Sequence, residues 1–215
     1  MTKLAVLGAS GHGRVVADSA TEAGWLEVVF YDDRWPGMQS ARDWPVVGDW
    51  SRLLQEASNV DGVIVGIGDC VVRAERHASL VAAGARLAQI VHPRAWVSSR
   101  AVLGPGSVVM AGGMVNIGAV LGAACIVNTG ATVDHDCILG DAVHVAPGAN
   151  LSGQVTVGQH TWIGVGACIR QGIRIGSGVV VGAGAVVVSD VADGLTVAGS
   201  PARTLERRGM ARKNA

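Results

Sequence analysis

A small parallel α/β domain followed by a parallel β-solenoid is the architecture this sequence predicts, on three observations. Every sixth residue from Val97 to Val187 is Val, Leu or Ile, sixteen times without exception. Only 49% of the chain is hydrophobic, so such a run does not arise from a random register. Ahead of it, short aliphatic stretches alternate with helical ones. The composition also changes there, because five of the six Trp and the single Tyr and Phe all precede Val97.

The elements follow in order. Leu4 to Leu7 reads as a buried strand, then Gly8-Ala9-Ser10-Gly11-His12-Gly13 turns into an amphipathic helix ending near Glu22. Val28 to Tyr31 is a second strand that ends in Asp32-Asp33-Arg34, and Val63 to Val65 a third that ends in Gly66-Ile67-Gly68-Asp69. Trp50 to Ala57 and Cys70 to Ala83 carry helical patterns, and Leu87 to Val91 is a last strand. Strands alternating with helices imply a parallel sheet. We expect this domain to span residues 1–90, the solenoid 91–195 and a tail 196–215.

A period of six holds whole strand alternations of two and fits neither 3.6 nor seven, so it describes short strands joined by regular corners. The fourth residue after each aliphatic is small or β-branched and suits the narrow interior, as at Ala119, Cys125, Ala131 and Cys137. The residue immediately after the aliphatic is often Gly, Asn or Asp, and we expect the positive φ of each corner there. No loop interrupts the hexads.

Lys and Arg number 17 against 17 Asp and Glu, which marks the chain as neither a nucleic-acid nor a membrane-surface binder. No charge-free apolar run reaches membrane-spanning length, so a cytoplasmic protein is expected. The four cysteines form no Cys-x-x-Cys pair, and Cys125 and Cys137 fall on interior positions.

A glycine-rich strand-to-helix turn aims backbone N–H groups at an anion, and a carboxylate at the next strand end can accept from a ribose hydroxyl. The loop spells G-x-x-G-x-G and not the dinucleotide G-x-G-x-x-G, and about four strands are too few for two nucleotide-binding halves. One nucleotide is therefore expected, held by Gly8, Ser10, Gly11, His12, Gly13, Asp32, Asp33, Arg34 and Gly68. Of the histidines in the repeats, His135 lies off the interior stripe beside a corner, where Asp136 or Asp134 could orient it. An imidazole there suits a general base. His160 reads as a solvated residue.

The hexads, together with Leu7-Gly8-Ala9-Ser10-Gly11-His12-Gly13, Tyr31-Asp32-Asp33, Ile67-Gly68 and Val91-His92-Pro93, resemble the bacterial nucleotide-sugar N-acetyltransferases of the hexapeptide-repeat class. The resemblance covers the whole chain. It implies a left-handed β-helix with three hexads per coil, a homotrimer with sites between subunits, and acetyl-CoA as cosubstrate without a metal. It implies transfer to an amino group, at C4, of a UDP- or GDP-linked sugar. It makes His135 the base, Asp136 its orienting acid, and Gly153, eighteen residues on, the N–H that steadies the oxyanion. Asn128, Val165 and Ala183 are assigned by position to acetyl-CoA, and His144, grouped with them, matches a second family histidine near the acetyl group or the sugar. The Val197-to-Arg203 segment resembles the family's coenzyme-side terminus, whereas Arg207, Arg208, Arg212 and Lys213, which could meet the CoA phosphates, read first as a frayed, solvated tail. A sugar O-acetyltransferase, a β-helical carbonic anhydrase and a non-catalytic nucleotide-sensing trimer are the competing readings.

Overall fold

The computed structural model describes residues 2–205, so the four basic residues 207, 208, 212 and 213 lie outside the described part. Five strands form the N-terminal sheet: β1 (Lys3–Leu7), β2 (Glu27–Tyr31), β3 (Ser40–Ala41), β4 (Trp44–Gly48) and β5 (Gly62–Val65). Their spatial order is β3-β4-β2-β1-β5, parallel except at the β3–β4 hairpin. The central strands are aliphatic throughout, as burial on both faces requires, and Leu4 to Val6, Phe30 and Ile64 are fully buried. Helices α1 (Gly11–Glu22), α2 (Trp50–Glu56) and α3 (Cys70–Ala82) cover the faces. The hairpin was not expected from sequence, because Pro45 sits inside it and proline argues against a strand within a sheet.

The stretch 87–91 is split between the two domains. Leu87 bridges to Val63 of the α/β sheet, whereas Ile90–Val91 pairs with Val108–Val109 and forms the first rung of the solenoid. From there the chain winds a three-sided prism in which residues eighteen apart are parallel partners, as in the column Val109, Val127, Val145, Ile163 and Val181. The first face holds strands from Trp96–Val97 to Val186–Val187, the second from Val102–Leu103 to Arg174–Ile175. The third runs from Ile90–Val91 past residue 195 into Thr196–Ala198, closed by antiparallel Arg203–Thr204.

The interior is the aliphatic column plus the small residues four places on, with Ala119, Cys125, Ala131, Cys137 and Thr161 all at 0% exposure. The corners differ from expectation. Positive φ falls on the third residue after every aliphatic from Leu103 to Val181, for example Gly118, Asp136, Ala142, Gln154 and His160, and not on the first. The glycines at the first position answer a different demand, because each lies against the backbone of the next coil. A Cβ on Gly140 would stand 2.7 Å from the Gln159 amide nitrogen.

Among the described residues only the third face is covered, and there over its first coils, Val180 being exposed. Helix α1 and its neighbours bury Ile90, Val108, Ile126 and His144, the outward residues of that face. The equivalent residues of the first two faces stay open, with Trp96 63% and Ile138 54% exposed. Among the described residues no helix is long and apolar enough to cross a membrane.

Candidate active site

His135 sits at the corner between the first and second faces, after strand Thr132–Val133. The coil closes around it through its backbone, since Gln154 N–H donates to His135 O at 2.9 Å and His135 N–H to the Asp134 side chain, at Oδ1, at 2.7 Å. Asp134 is itself held by the Asn116 amide at 2.8 Å, one coil earlier. The next residue, Asp136, takes φ of +59°, a conformation that short polar side chains tolerate better than most. From there its Oδ2 lies 2.9 Å from His135 Nδ1. An ionised carboxylate can only accept, so Nδ1 carries the hydrogen and Nε2 is left as the basic lone pair. The bond to Asp136, reinforced by the charge of Asp134, raises the His135 pKa above its usual range.

The free edge of the imidazole lies over Gly153. A Cβ there would meet Cδ2 of His135 at 3.0 Å and its Nε2 and Cε1 more closely still. Gly153 is buried, its carbonyl accepts from Gly172, and its N–H donates to no described residue. The coil spacing thus brings a base, its orienting acid and an unused backbone donor to one corner.

His144 and Asn128 lie elsewhere, at the seam between the domains. His144 projects from the third face at 3% exposure, its ring 4.1 Å from Trp162 and 5.8 Å from His12. Asn128 Oδ1 accepts from Thr129 N–H, which directs its Nδ2 to His144 Nε2 at 3.1 Å. His144 Nδ1–H then donates to Gly68 O at 3.3 Å, linking the solenoid to the end of β5. Burial first, and then the nearby Arg73 cation, lower His144 to about 3 and His12 to about 4. Both are neutral imidazoles near pH 7.

These depressed values fix a sign. A histidine harder to protonate when folded contributes stability above its unfolded pKa of about 6.5 that is lost as pH falls toward the folded value. The urea midpoint of the wild type should therefore drop between pH 6.5 and 4. In His144→Gln that slope should be shallower, whatever the variant's stability at pH 7. Parallel slopes would show that His144 does not titrate with unfolding.

The glycine loop is tightly built. Gly8, at φ +98°, donates to Tyr31 O at 2.8 Å, and Gly13 is pressed so close to Gly8 O that no side chain fits. Asp32 spends its oxygens within the chain, on Ala9 N–H at 2.8 Å and on the Arg34 guanidinium at 2.7 and 2.9 Å. Those bonds, led by Arg34, hold its pKa down at about 2. Asp33 accepts from Trp50 N–H at 3.2 Å. Ser10 and Gly11 are exposed at the start of α1, where the Ser10 hydroxyl makes no capping bond. Beside the seam, a cavity of about 370 Å³ is lined by Asp69, Cys70, Val71, His160, Trp162, Gly178 and Val180.

Val165 and Ala183 are exposed and one coil apart, on the corner between the third and first faces. That is a different edge of the prism from His135. Arg73 was absent from the expected site, yet it is 1% exposed and reaches both domains. Its signal was legible: the buried face of α3 reads Cys70, Arg73, His77, Leu80, an apolar stripe interrupted by a cation.

Residues 3–80 match the PglD N-terminal domain, and residues 154–189 match the hexapeptide repeat of succinyl-transferase. The acetyltransferase domain of PglB from Neisseria gonorrhoeae FA1090, solved with acetyl coenzyme A, is 47% identical with a TM-score of 0.91, over 94% of this chain and 98% of that one. PerB from Caulobacter crescentus, solved with CoA and GDP-perosamine, is 36% identical with a TM-score of 0.87, over 95% and 97%. A histidine-to-asparagine variant of the perosamine N-acetyltransferase from the same organism, with the same two ligands, is 35% identical with a TM-score of 0.89, over 95% and 97%. No curated protein matches the chain. The solenoid is accordingly a left-handed β-helix and the protein an acyltransferase. Similarity of this degree along both domains places the chain in the family of these PglD-type hexapeptide-repeat acetyltransferases.

Proposed function

We propose that the protein transfers acetyl from acetyl-CoA to the amino group, at C4, of a nucleotide-linked amino sugar. The observation that carries this is the His135–Asp136 pair poised over Gly153, in a chain closely similar along its length to an enzyme solved with CoA and GDP-perosamine. The amine attacks the thioester carbonyl while His135 Nε2 takes the proton that nitrogen must lose. Gly153 N–H donates to the carbonyl oxygen as charge develops on it. Collapse of the tetrahedral intermediate forms the amide and expels the CoA thiolate, which recovers the proton from His135.

The glycine loop with His12, Asp33 and Gly68 holds the nucleotide sugar in this reading. Asp32 supports it by fixing the loop, through Ala9 N–H, against the end of β2. Val165 and Ala183 line the coenzyme groove, and Asn128 and His144 join the two substrates' regions. We place the enzyme in the cytoplasm as a homotrimer. Exposed Val102, Met114, Val120 and Ile138 on the uncovered faces supply apolar surface for neighbouring copies. A site shared between copies would also bring one copy's His135 corner against another's coenzyme corner.

The test follows CoA thiol release with amino and hydroxy versions of UDP-, GDP- and dTDP-sugars, beside thermal shifts with and without CoA, since binding to the native state raises apparent stability. Turnover should require the amino form of at least one nucleotide sugar. Equal or faster turnover of the hydroxy form would make this an O-acetyltransferase, and thermal shifts without turnover would make it a sensor.

A further inference from the structure

We infer that Arg73 is a positioning residue for the amino-sugar substrate, locking the loop after β5 onto two coils of the solenoid and so fixing how that loop meets its ligand. This rests on the proposed role of Gly68 in holding the nucleotide sugar.

Arg73 is buried, yet among the described residues no carboxylate pairs with it. Its Nε donates to Ala124 O at 2.8 Å and its Nη2 to Ala142 O at 2.7 Å, on successive coils. Its Nη1 serves Ile67, Gly68 and Asp69 carbonyls at 3.0, 2.7 and 3.2 Å. Nη2 also approaches Cys70 Sγ at 3.6 Å. All five guanidinium hydrogens are therefore used, in a planar fork that an ammonium cannot reproduce. Burying a cation without a counter-ion is costly, and carbonyl dipoles offset that cost only while every one stays in place.

The loop side of this arrangement bears on function. In a trans peptide the C=O and the following N–H point in opposite directions. Turning the carbonyls of Ile67, Gly68 and Asp69 inward onto Arg73 turns the N–H groups of Gly68, Asp69 and Cys70 outward. None of the three donates to a described residue, and the space where a Gly68 Cβ would stand is empty. The loop lies at the carboxyl end of a parallel sheet, where ligands of such sheets bind. The loop is also tied at its two ends, by Gly66 N–H to Leu7 O at 2.8 Å and by Asp69, which caps α3. Between them the one tie besides Arg73 among the described residues is the His144 bond to Gly68 O, which needs the same carbonyl orientation. The Arg73 charge also helps keep His12 and His144 neutral, as that bond pattern requires.

The test compares wild type with Arg73→Met and Arg73→Lys. Arg73→Met should raise KM and Kd for the nucleotide amino sugar by about tenfold or more, the scale expected when a positioning group shifts by a fraction of an ångström. Its Kd for CoA should stay within about twofold, and hydrogen exchange should accelerate at amides 67–70 but not in the coils around His135. Arg73→Lys, which keeps the charge without the fork, should fall between the two and carries the comparison if the Met variant does not fold. An unchanged sugar KM alongside faster loop exchange would overturn the inference, as would equal weakening of both substrates. If the wild type acetylates no nucleotide amino sugar, the functional proposal is what fails. Loop exchange unchanged in both variants would still overturn the role of Arg73.

Discussion

Replacing His135 with Ala should lower kcat for acetyl transfer by about 10²–10⁴-fold, the usual contribution of a positioned general base. The side chain is half exposed and its one side-chain bond is to the equally exposed Asp136, so the thermal unfolding temperature should not move. Binding of CoA should also persist, because the imidazole meets the reacting atoms and not the coenzyme body. The pH profile supplies the sign. A base works deprotonated, so kcat should rise with pH through the His135 pKa, which Asp136 raises. Asp136→Asn removes that anion and should move the rising limb to lower pH while reducing the plateau, since a weaker base is also less firmly oriented. A limb unmoved by Asp136→Asn would mean that another group titrates. Full activity in His135→Ala would remove His135 from the chemistry.

The hexad made the solenoid legible before any coordinates, because a period of six with an aliphatic at every repeat has no helical solution. Counting eighteen residues from His135 to Gly153 needed that register together with the three hexads per coil that the family resemblance implies, and the ring does lie over that glycine. Which corner residue bends backward was harder to read. Glycine serves two purposes in this coil, positive φ at the third residue after the aliphatic and close coil-to-coil approach at the first. Composition alone does not separate them. That His144 and Asn128 meet His12 and Gly68 of the other domain was not legible in their place along the repeat. A repeat tells which face a residue occupies, but what covers that face depends on how a second domain docks. The same limit hid the partners of Arg73, which lie 51 and 69 residues away in sequence, although its place on the buried stripe of α3 could be read.

Gly153→Ala should cost nearly as much as loss of the base itself, about 10²-fold in kcat, because a misplacement near 1 Å of a reacting group is worth that much. The added methyl has no room beneath the imidazole and must push the ring outward or block the space beside it. Little stability should be lost, since the ring is free to swing into solvent and Gly153 is not among the positions with positive φ. Two mechanisms predict the same single-variant loss, and a double variant separates them. If the methyl acts only by displacing His135, then His135→Ala with Gly153→Ala should be no slower than His135→Ala alone, because the group being displaced is already gone. If Gly153 N–H also steadies the oxyanion, the methyl crowds the thioester as well, and the double variant should fall a further tenfold or more, toward the loss seen when an oxyanion donor is removed, about 10²–10³-fold. A Gly153→Ala enzyme with wild-type kcat would show that the imidazole works from a position other than the one over this glycine, and the geometry that joins base and oxyanion donor at one corner would no longer carry the mechanism.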